Sequence, residues 1–323
     1  MTKEKSAIIT GVSGQDGWFL SELLVEKGYR VLGTTRDLTA RDRVHPAIDL
    51  ALWDLRDSEM LAELLREYRP AEFYNLAAFA SGTGMYDDPV AIGEVNGLAV
   101  TRILESVRVV DPAIRFCQAS SSELFGEPDM SPQNETSAFH PRSPYGAAKL
   151  YAHQMVGIYR RTHGLFACSA ILFNHESPRR GPGFVTGKIA RAAARISQGL
   201  ESELSLGNLD AQRDWSFAGD SMRGMMLALQ AEAPDDYVFA SGIAHSVRDV
   251  CEIAFAHVGL DYRTYIRISD ADYRPNETVK LVGDPAKARR ELGWSPERDF
   301  SNLICMMVDA ELEAPENIAS KSR

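Results

Sequence analysis

The feature that most constrains the fold of this sequence is a glycine-rich turn close to its start. Residues 7–10 read as an apolar strand, and Gly11, Gly14 and Gly17 follow it before a helical pattern of apolar residues. Glycines at such a turn let the backbone approach a pyrophosphate at the N-terminus of the helix. The pattern predicts an α/β protein with a Rossmann-type, doubly wound parallel sheet. The residues expected to hold a dinucleotide here are Gly11, Gly14, Gln15, Asp16 and Gly17.

The next three strand patterns end in residues that suit the rest of a dinucleotide. Arg36 follows the second strand, where it favours NADP over NAD, although Asp37 stands beside it and a solvated loop charge is the plain alternative. After the third strand, the carboxylate of Asp54 can meet an adenine amino group. The other positions expected to border the cofactor are Leu55 and the small or apolar residues Leu76, Ala77 and Ala78.

A second informative stretch joins a strand to a helix in the middle of the chain. Tyr145 and Lys149 are four residues apart, which places a phenol and an ammonium on one helix face. There the cation can lower the pKa of the phenol toward a value useful for a general base. A hydroxyl of Ser121 or Ser122 can share the substrate oxygen with Tyr145, and Glu123 can take a proton from carbon. YxxxK alone also occurs on ordinary surface helices, so the agreement with the glycine-rich turn carries the prediction.

Composition limits the remaining function classes. The net charge of -10 over 323 residues disfavours a general nucleic-acid or anionic-membrane surface, so a phosphate site has to be built residue by residue. No apolar run approaches the roughly 18 residues that span a bilayer, and we expect no signal peptide. The four cysteines are far apart and read as reduced core residues. We therefore expect a cytoplasmic protein without a metal site and without a nucleic-acid or membrane partner.

Polar and basic residues recur at element ends in the second half of the chain. Asn174, His175 and Arg180 follow a strand and read as a binding loop, with a core role for His175 as the alternative. Lys188 stands near the start of a basic helix whose N-terminus can hold a diphosphate. The charges that suggest a divided site for two phosphates are those of Lys188, Arg213 and Arg274.

Together these motifs resemble the extended short-chain dehydrogenase/reductase family and, within it, the GDP-mannose 4,6-dehydratases. The resemblance covers almost the whole chain, and its most specific strings are LFNHESPRRG at 172–181 and LGNLDAQRDW at 206–215. It implies that residues 1–173 and about 213–243 form an NADP-binding Rossmann domain. Residues of about 174–212 and 244–323 would form a smaller, discontinuous α/β domain for a GDP-sugar. It also implies a homo-oligomer, either a dimer or a tetramer.

The resemblance also assigns roles to individual residues. The catalytic residues it implies are Ser121, Glu123, Tyr145 and Lys149, with His175 and Arg180 at the cofactor. The substrate contacts it implies are Ser122, Asn174, Val185, Lys188, Arg213, Arg274 and Glu277. The implied reaction is loss of water from C5 and C6 of a GDP-hexose through transient oxidation at C4. The alternatives are a GDP-4-keto-sugar reductase or epimerase and a non-catalytic protein that binds a nucleotide sugar.

The sequence departs from the family pattern in its substrate loop, which reads FASGTGMY at 79–86. This departure leaves the sugar open between mannose, a heptose and another GDP-linked sugar. The segment after Arg36 is also shorter than in the family, and Gly187 stands where an arginine is usual.

Overall fold

A computed structural model of the chain describes residues 5–79, 86, 88–181, 183–269 and 280–314. Over these residues, seven parallel strands form the main sheet. They are β1 (Ser6–Thr10), β2 (Arg30–Thr35), β3 (Asp49–Leu52), β4 (Glu72–Asn75), β5 (Arg115–Ser121), β6 (Ala167–Leu172) and β10 (Tyr237–Phe239). Their order is β10-β6-β5-β4-β1-β2-β3. The strand order reverses between β1 and β4, and ligands of open parallel sheets bind outside the carboxyl ends of the strands at that point.

Helices cover both faces of the main sheet, and this explains the nearly continuous apolar character of its strands. On one face, α1 (Gln15–Glu26) and α7 (Ala218–Gln230) share a core with Ile9, Val31 and Phe239. The helices on the other face are α2 (Ser58–Tyr68), α4 (Ala99–Val110) and α5 (Pro144–His163), which pack on Ile8, Phe73 and Phe116. The predicted doubly wound α/β fold is confirmed.

The helical segment over residues 89–110 is interrupted. It consists of α3 (Pro89–Gly93), a π-helical turn (Glu94–Leu98) and α4. Asn96 in this turn accepts a hydrogen bond from the amide of Phe79 at 2.8 Å and donates one to the carbonyl oxygen of Phe79 at 3.2 Å. Turns of this kind are frequent at functional sites, and this one fixes the backbone where the chain leaves β4.

The remaining strands form two smaller sheets. Their bounds are β7 (Asn174–Glu176), β8 (Leu204–Leu206), β9 (Gln212–Phe217), β11 (Ala244–Ser246) and β12 (Ile266–Ile268). One sheet has the order β11-β9-β7, and the other pairs β12 with β8. The helices of this region are α6 (Val185–Ser197), α8 (Val247–His257), α9 (Tyr262–Tyr265), α10 (Ala286–Leu292) and α11 (Phe300–Glu313). Helices α6, α8 and α11 share a separate core with Trp215 of β9, so β9 belongs to the smaller sheet although α7 and β10 after it belong to the main layers.

One buried carboxylate joins the two regions. Asp214 of β9 accepts hydrogen bonds from the amide and hydroxyl of Ser241, which follows β10, and from the amides of Gly242 and Gly283. Burial raises the pKa of Asp214 despite these donors. The junction therefore depends on a fully hydrogen-bonded group rather than on apolar contact alone.

The described helices include none that is both long enough and apolar enough to cross a membrane.

Candidate functional site

A cleft of about 1280 Å³ opens at the carboxyl ends of β1, β2 and β4. The predicted cofactor residues that line it are Gly11, Gly14, Gln15, Asp16, Arg36, Asp54, Leu55, Leu76, Ala77, Ala78 and Arg180. Gly17, Tyr145, Lys149 and His175 lie outside this lining. The sequence therefore predicted many of the residues that line this cleft, whose size suits a dinucleotide.

The glycine-rich turn fits the close backbone approach that a pyrophosphate needs. Gly11 has a φ of +65°, and a Cβ there would lie 2.9 Å from the backbone of Ala77. A Cβ on Gly17 would lie 2.5 Å from the Cα of Val12, so α1 can start this close to β1 only with glycine. The hydroxyl of Thr10 accepts from the amides of Leu76 and Ala77, each at 3.0 Å, and fixes the opposite side of the turn.

Tyr145 and Lys149 are positioned by the start of α5. The hydroxyl of Ser143 accepts from the amide of Gly146 at 3.0 Å and Pro144 begins the helix, an N-terminus of the usual capped kind. Lys149 is 3% exposed and donates through Nζ to the carbonyl oxygen of Ala119 in β5 at 2.8 Å. This Nζ lies 5.7 Å from the centroid of the Tyr145 ring.

The electrostatics of this pair differ from the prediction. Burial raises the pKa of Tyr145 to about 12, although a hydrogen bond with Ser121 opposes the rise. Burial also lowers the pKa of Lys149 to about 8, against the charge of Asp16, which raises it. The sequence predicted that Lys149 lowers the pKa of the Tyr145 phenol. That prediction is wrong, because desolvation of the phenol raises this pKa by more than the neighbouring groups lower it.

Glu123 lies beside the same helix, in a 3₁₀ turn (Ser122–Leu124) that follows β5. Its amide donates to the hydroxyl of Ser121 at 3.2 Å, and a Cβ on Gly146 would lie 2.6 Å from its carbonyl oxygen. One carboxylate oxygen, Oε2, is buried and has no hydrogen-bond partner among the residues that the structure describes. We name Ser121, Glu123, Tyr145 and Lys149 the Tyr145 group. Ser122 is buried behind it.

Asp16 and His175 form a partly buried charged pair at the cleft. The ring of His175 lies 3.0 Å from Asp16 through Nε2 and 2.7 Å from the carbonyl oxygen of Phe173 through Nδ1. Both partners are acceptors, so the ring carries both protons. Burial alone would lower the pKa of His175, but the charge of Asp16 outweighs it and raises that pKa. The side chain of Gln15 donates to the carbonyl oxygen of His175 at 3.0 Å, which ties α1 to β7.

Arg180 is held on the inner side of the loop after β7. Its Nε lies 3.0 Å from the carboxylate of Glu176, which is 1% exposed and also accepts a hydrogen bond from Thr186. The guanidinium carbon lies 3.5 Å from the centroid of the Phe184 ring. Its charge acts to lower the pKa of Tyr145, so Arg180 is a fixed positive charge beside the Tyr145 group.

Four of the predicted substrate contacts, Asn174, Val185, Lys188 and Arg213, lie on elements of the smaller region. Asn174 is in β7 and pairs in register with Trp215, two residues after Arg213 in β9. Lys188 lies in the first turn of α6, which begins at Val185, and donates to the carbonyl oxygen of Ser205 at 2.7 Å. Arg274 and Glu277 lie outside the described residues, as does most of the loop at 79–86.

Three arginines line one end of the cleft, and the sequence predicted only one of them as a cofactor residue. Arg36 lies there as predicted, and Arg43 and Arg179 join it. We name Arg36, Arg43 and Arg179 the arginine cluster. Arg43 carries no motif in the sequence, whereas the doublet Arg179-Arg180 was a signal for Arg179.

Two carboxylates at this end are already engaged. Asp37 accepts from the amide of Thr39 at 2.9 Å and from its hydroxyl at 2.6 Å. Both oxygens of Asp54 accept from Arg56, whose hydrogen bonds lower the pKa of that carboxyl to about 2. The carboxylate of Asp54 borders the cleft as predicted, with Arg56 as its partner.

Comparison with known proteins identifies relatives of the same architecture. The family model described as GDP-mannose 4,6 dehydratase matches residues 8–307. GDP-mannose 4,6 dehydratase 1 of Arabidopsis thaliana is 44% identical over 326 residues, which cover 96% of this chain and 90% of that protein.

Two solved structures show the likeness in three dimensions. UDP-glucose 4-epimerase of Thermus thermophilus in complex with NAD has a TM-score of 0.84 and is 26% identical. The match covers 96% of this chain and 99% of that one. The structure of RMD from Pseudomonas aeruginosa complexed with NADPH has a TM-score of 0.81 at 24% identity, covering 95% of this chain and 99% of that one, and shows the fold.

Proposed function

This chain belongs to the GDP-mannose 4,6-dehydratase family, and we propose that it removes water from GDP-mannose to give the GDP-linked 4-keto-6-deoxy sugar. The observation that carries the proposal is the buried, unpartnered Oε2 of Glu123 next to the hydrogen-bonded Ser121 and Tyr145. A buried carboxylate oxygen without a donor is costly unless a ligand uses it. A reductase or epimerase needs the hydroxyl and the lysine, but only a dehydratase needs such a carboxylate.

The Tyr145 group supplies the proton transfers. Tyr145 and Ser121 hold the C4 hydroxyl, and the phenolate form of Tyr145 takes the proton of that hydroxyl as C4 becomes a ketone. The phenol so formed returns the proton to C5 when hydride is delivered to C6. Lys149 donates a hydrogen bond to the carbonyl oxygen of Ala119, and this contact fixes its positive charge in the same pocket. A bound nicotinamide supplies the transient uptake and return of hydride. Burial of Lys149 keeps water away from these steps.

Glu123 performs the elimination. The ketone at C4 acidifies the C5 proton, so a carboxylate within reach can remove it. The carboxyl group formed then gives a proton to the departing C6 hydroxyl, which leaves as water. The 3₁₀ turn and the contact with Gly146 hold Glu123 against the start of α5, so acid and base stay in fixed relation.

We propose NADP as the cofactor within the coarser assignment of a pyridine nucleotide. Positive charge from Arg36 and Arg43 at the cleft end supports it, and the carboxylates of Asp37 and Asp54 are bound by Thr39 and Arg56. The turn at 11–17 would hold the pyrophosphate, with His175 and Arg180 near the nicotinamide end. Mass spectrometry of the cofactor that copurifies with the protein tests this choice.

The smaller region is proposed to hold the nucleotide sugar. Lys188, Arg213 and Arg274 would share its two phosphates, and the remaining proposed contacts are Ser122, Asn174, Val185 and Glu277. The two-domain division, with the cofactor on the main sheet, and the cytoplasmic location stay predictions from the sequence.

We also propose a homo-oligomer. Leu98, Tyr151 and Ile158 are each about two-fifths exposed and lie on the π-helical turn and on α5, which pack together. Apolar side chains grouped on neighbouring helices suit a contact with a second copy. Sedimentation analysis of the purified protein measures the state directly.

Glu123→Gln tests the dehydratase directly. We expect it to lose about 10²–10⁴-fold in turnover of GDP-mannose while cofactor binding stays unchanged, because a general acid–base group is removed without loss of volume. Glu127→Gln is the matched control, since Glu127 lies in the same segment and is exposed. Full dehydratase activity of Glu123→Gln would reject the assignment.

The product decides between the enzyme classes. Wild-type protein should form the 4-keto-6-deoxy sugar from GDP-mannose without added NADPH. Stoichiometric consumption of NADPH on a GDP-4-keto sugar would instead indicate a reductase, and binding of both ligands without turnover would indicate a binding protein.

A further inference from the structure

Two adjacent arginines in the loop after β7 have different environments. Arg180 pairs with Glu176 on the inner side, whereas Arg179 turns toward the opposite wall of the cleft. The guanidinium carbon of Arg179 lies 3.7 Å from the centroid of the Trp18 ring in α1. Its Nη2 donates to the carbonyl oxygen of Arg43 at 3.1 Å. Arg179 therefore crosses from the loop after β7 to the segment after β2.

The backbone beneath Arg179 is fixed. Its amide donates to the hydroxyl of Ser177 at 3.1 Å, and that hydroxyl donates to the side chain of Gln15 at 2.7 Å. Gln15 begins α1, three residues before Trp18. Contacts with α1 thus position both the side chain and the backbone of Arg179. The N-terminus of this helix faces the predicted pyrophosphate site.

The arginine cluster retains charge that the protein itself does not neutralise. Among the residues that the structure describes, Arg36, Arg43 and Arg179 form no ion pair with a carboxylate, whereas Arg180 does. Only part of the guanidinium fork of Arg179 is used, since one donor binds the Arg43 carbonyl and one face stacks on Trp18. Such a group suits bidentate binding of a phosphate. Three of them at one end of a cleft, in a chain with a net charge of -10, mark an anion site.

We propose that Arg179 is a specificity residue for the cofactor and that it binds the phosphate on the adenosine ribose together with Arg36. The inference rests on the proposed NADP site and adds a residue that comes from the substrate-side loop. Trp18 would hold the guanidinium in place through its ring face. Because Arg179 spans the cleft, it would also slow release of the cofactor.

Fragment binding tests this role without turnover. Calorimetric titration with 2′,5′-ADP and with 5′-AMP isolates the ribose phosphate, since the two ligands differ only there. Wild-type protein should prefer 2′,5′-ADP. Arg179→Met should weaken 2′,5′-ADP about tenfold or more and 5′-AMP less than twofold, because a charged hydrogen bond to phosphate is lost. Arg179→Lys should lie between the two, since it keeps the charge but loses the planar fork.

Arg263→Met is the matched control. Arg263 is also exposed and lies over an aromatic ring, that of Tyr262, but it is in α9 outside the cleft lining. It should leave both affinities unchanged. Equal loss of both ligands in Arg179→Met, or no loss of 2′,5′-ADP, would overturn the proposal.

A second variant distinguishes loss of the Arg179 contact from a general folding defect. Trp18→Leu should weaken 2′,5′-ADP severalfold in the wild type but cause no further loss when combined with Arg179→Met, because it acts through Arg179. Additive losses would contradict the inference. If wild-type protein fails to prefer 2′,5′-ADP, the NADP assignment itself fails. If it prefers 2′,5′-ADP and Arg179→Met keeps that preference undiminished, only the role of Arg179 falls.

Discussion

The Tyr145 group and the arginine cluster are two charged regions of one site, and they are built in opposite ways. Around the Tyr145 group, two charges are fixed by protein partners, Lys149 by the Ala119 carbonyl and Asp16 by His175, while Oε2 of Glu123 is buried without a partner among the described residues. The arginine cluster is exposed, and Arg179 within it is held by a ring face and a carbonyl oxygen rather than by a carboxylate. Catalysis requires groups whose positions are fixed before the substrate binds. Selection of a ligand instead requires charge that only the ligand neutralises.

This contrast predicts where substitutions act. Changes in the Tyr145 group should lower turnover, because they alter the groups that we propose to touch the reacting atoms. Changes in the arginine cluster should alter ligand affinity and its salt dependence, since exposed charges are screened by salt.

The largest effect is expected for Tyr145→Phe. Removing the phenol oxygen, which bonds Ser121, should reduce kcat about 10²–10⁴-fold and leave 2′,5′-ADP binding within twofold of wild type. Tyr151→Phe is the matched control on the same helix, because the Tyr151 hydroxyl bonds Thr101 on the exposed side. Comparable loss in both variants would show that the helix, rather than the Tyr145 hydroxyl, limits activity.

The pH dependence should report the buried lysine. The pKa of Lys149 is about 8, so its ammonium loses the proton as the pH rises through that value. If the charge is required, kcat/KM falls on the alkaline side of about pH 8, as a profile from pH 6 to 10 would reveal. Tyr145, with a pKa of about 12, stays protonated throughout this range when the chain's own groups alone act on it. A profile that rises through pH 8 would reverse this account.

Asp16→Asn sharpens the same test. The carboxylate of Asp16 raises the pKa of Lys149, so its removal should shift the alkaline limb to lower pH. Asparagine can still accept from His175, which preserves the contact between α1 and β7. Glu22→Gln removes a charge from the same helix but not one that acts on Lys149, and its limb should stay in place.

The doubly wound α/β class and the glycine turn were predictable because they depend on local pattern. Residues 11–17 follow a strand and open a helix in the sequence itself, and the fold confirms that arrangement. The interruption at 94–98 was not predictable, since it depends on Asn96 bonding the backbone of Phe79, 17 residues away. Hydrophobic periodicity carries no information about such a contact.

The candidate site shows the same limit. The spacing of Tyr145 and Lys149 predicted their shared face, but the direction of the Tyr145 pKa shift follows from burial by several distant segments. Arg179 and Trp18 are 161 positions apart in the numbering, and only the folded chain brings them to 3.7 Å. Motifs therefore predicted that Tyr145 and Lys149 share a helix face, whereas their electrostatic environment required the tertiary structure.

The smallest effect is expected at Asp37. This exposed carboxylate borders the arginine cluster but is turned toward Thr39, so it opposes a phosphate only weakly. Asp37→Asn keeps the capping oxygen and removes the charge, and should tighten 2′,5′-ADP by no more than about threefold at low salt. Because exposed charges are screened, the gain should vanish as salt approaches about 1 M. Asp42→Asn, in the same turn but outside the cleft lining, provides the comparison. A tenfold gain at Asp37, or an equal gain at Asp42, would mean that overall charge rather than the arrangement of the arginine cluster governs binding.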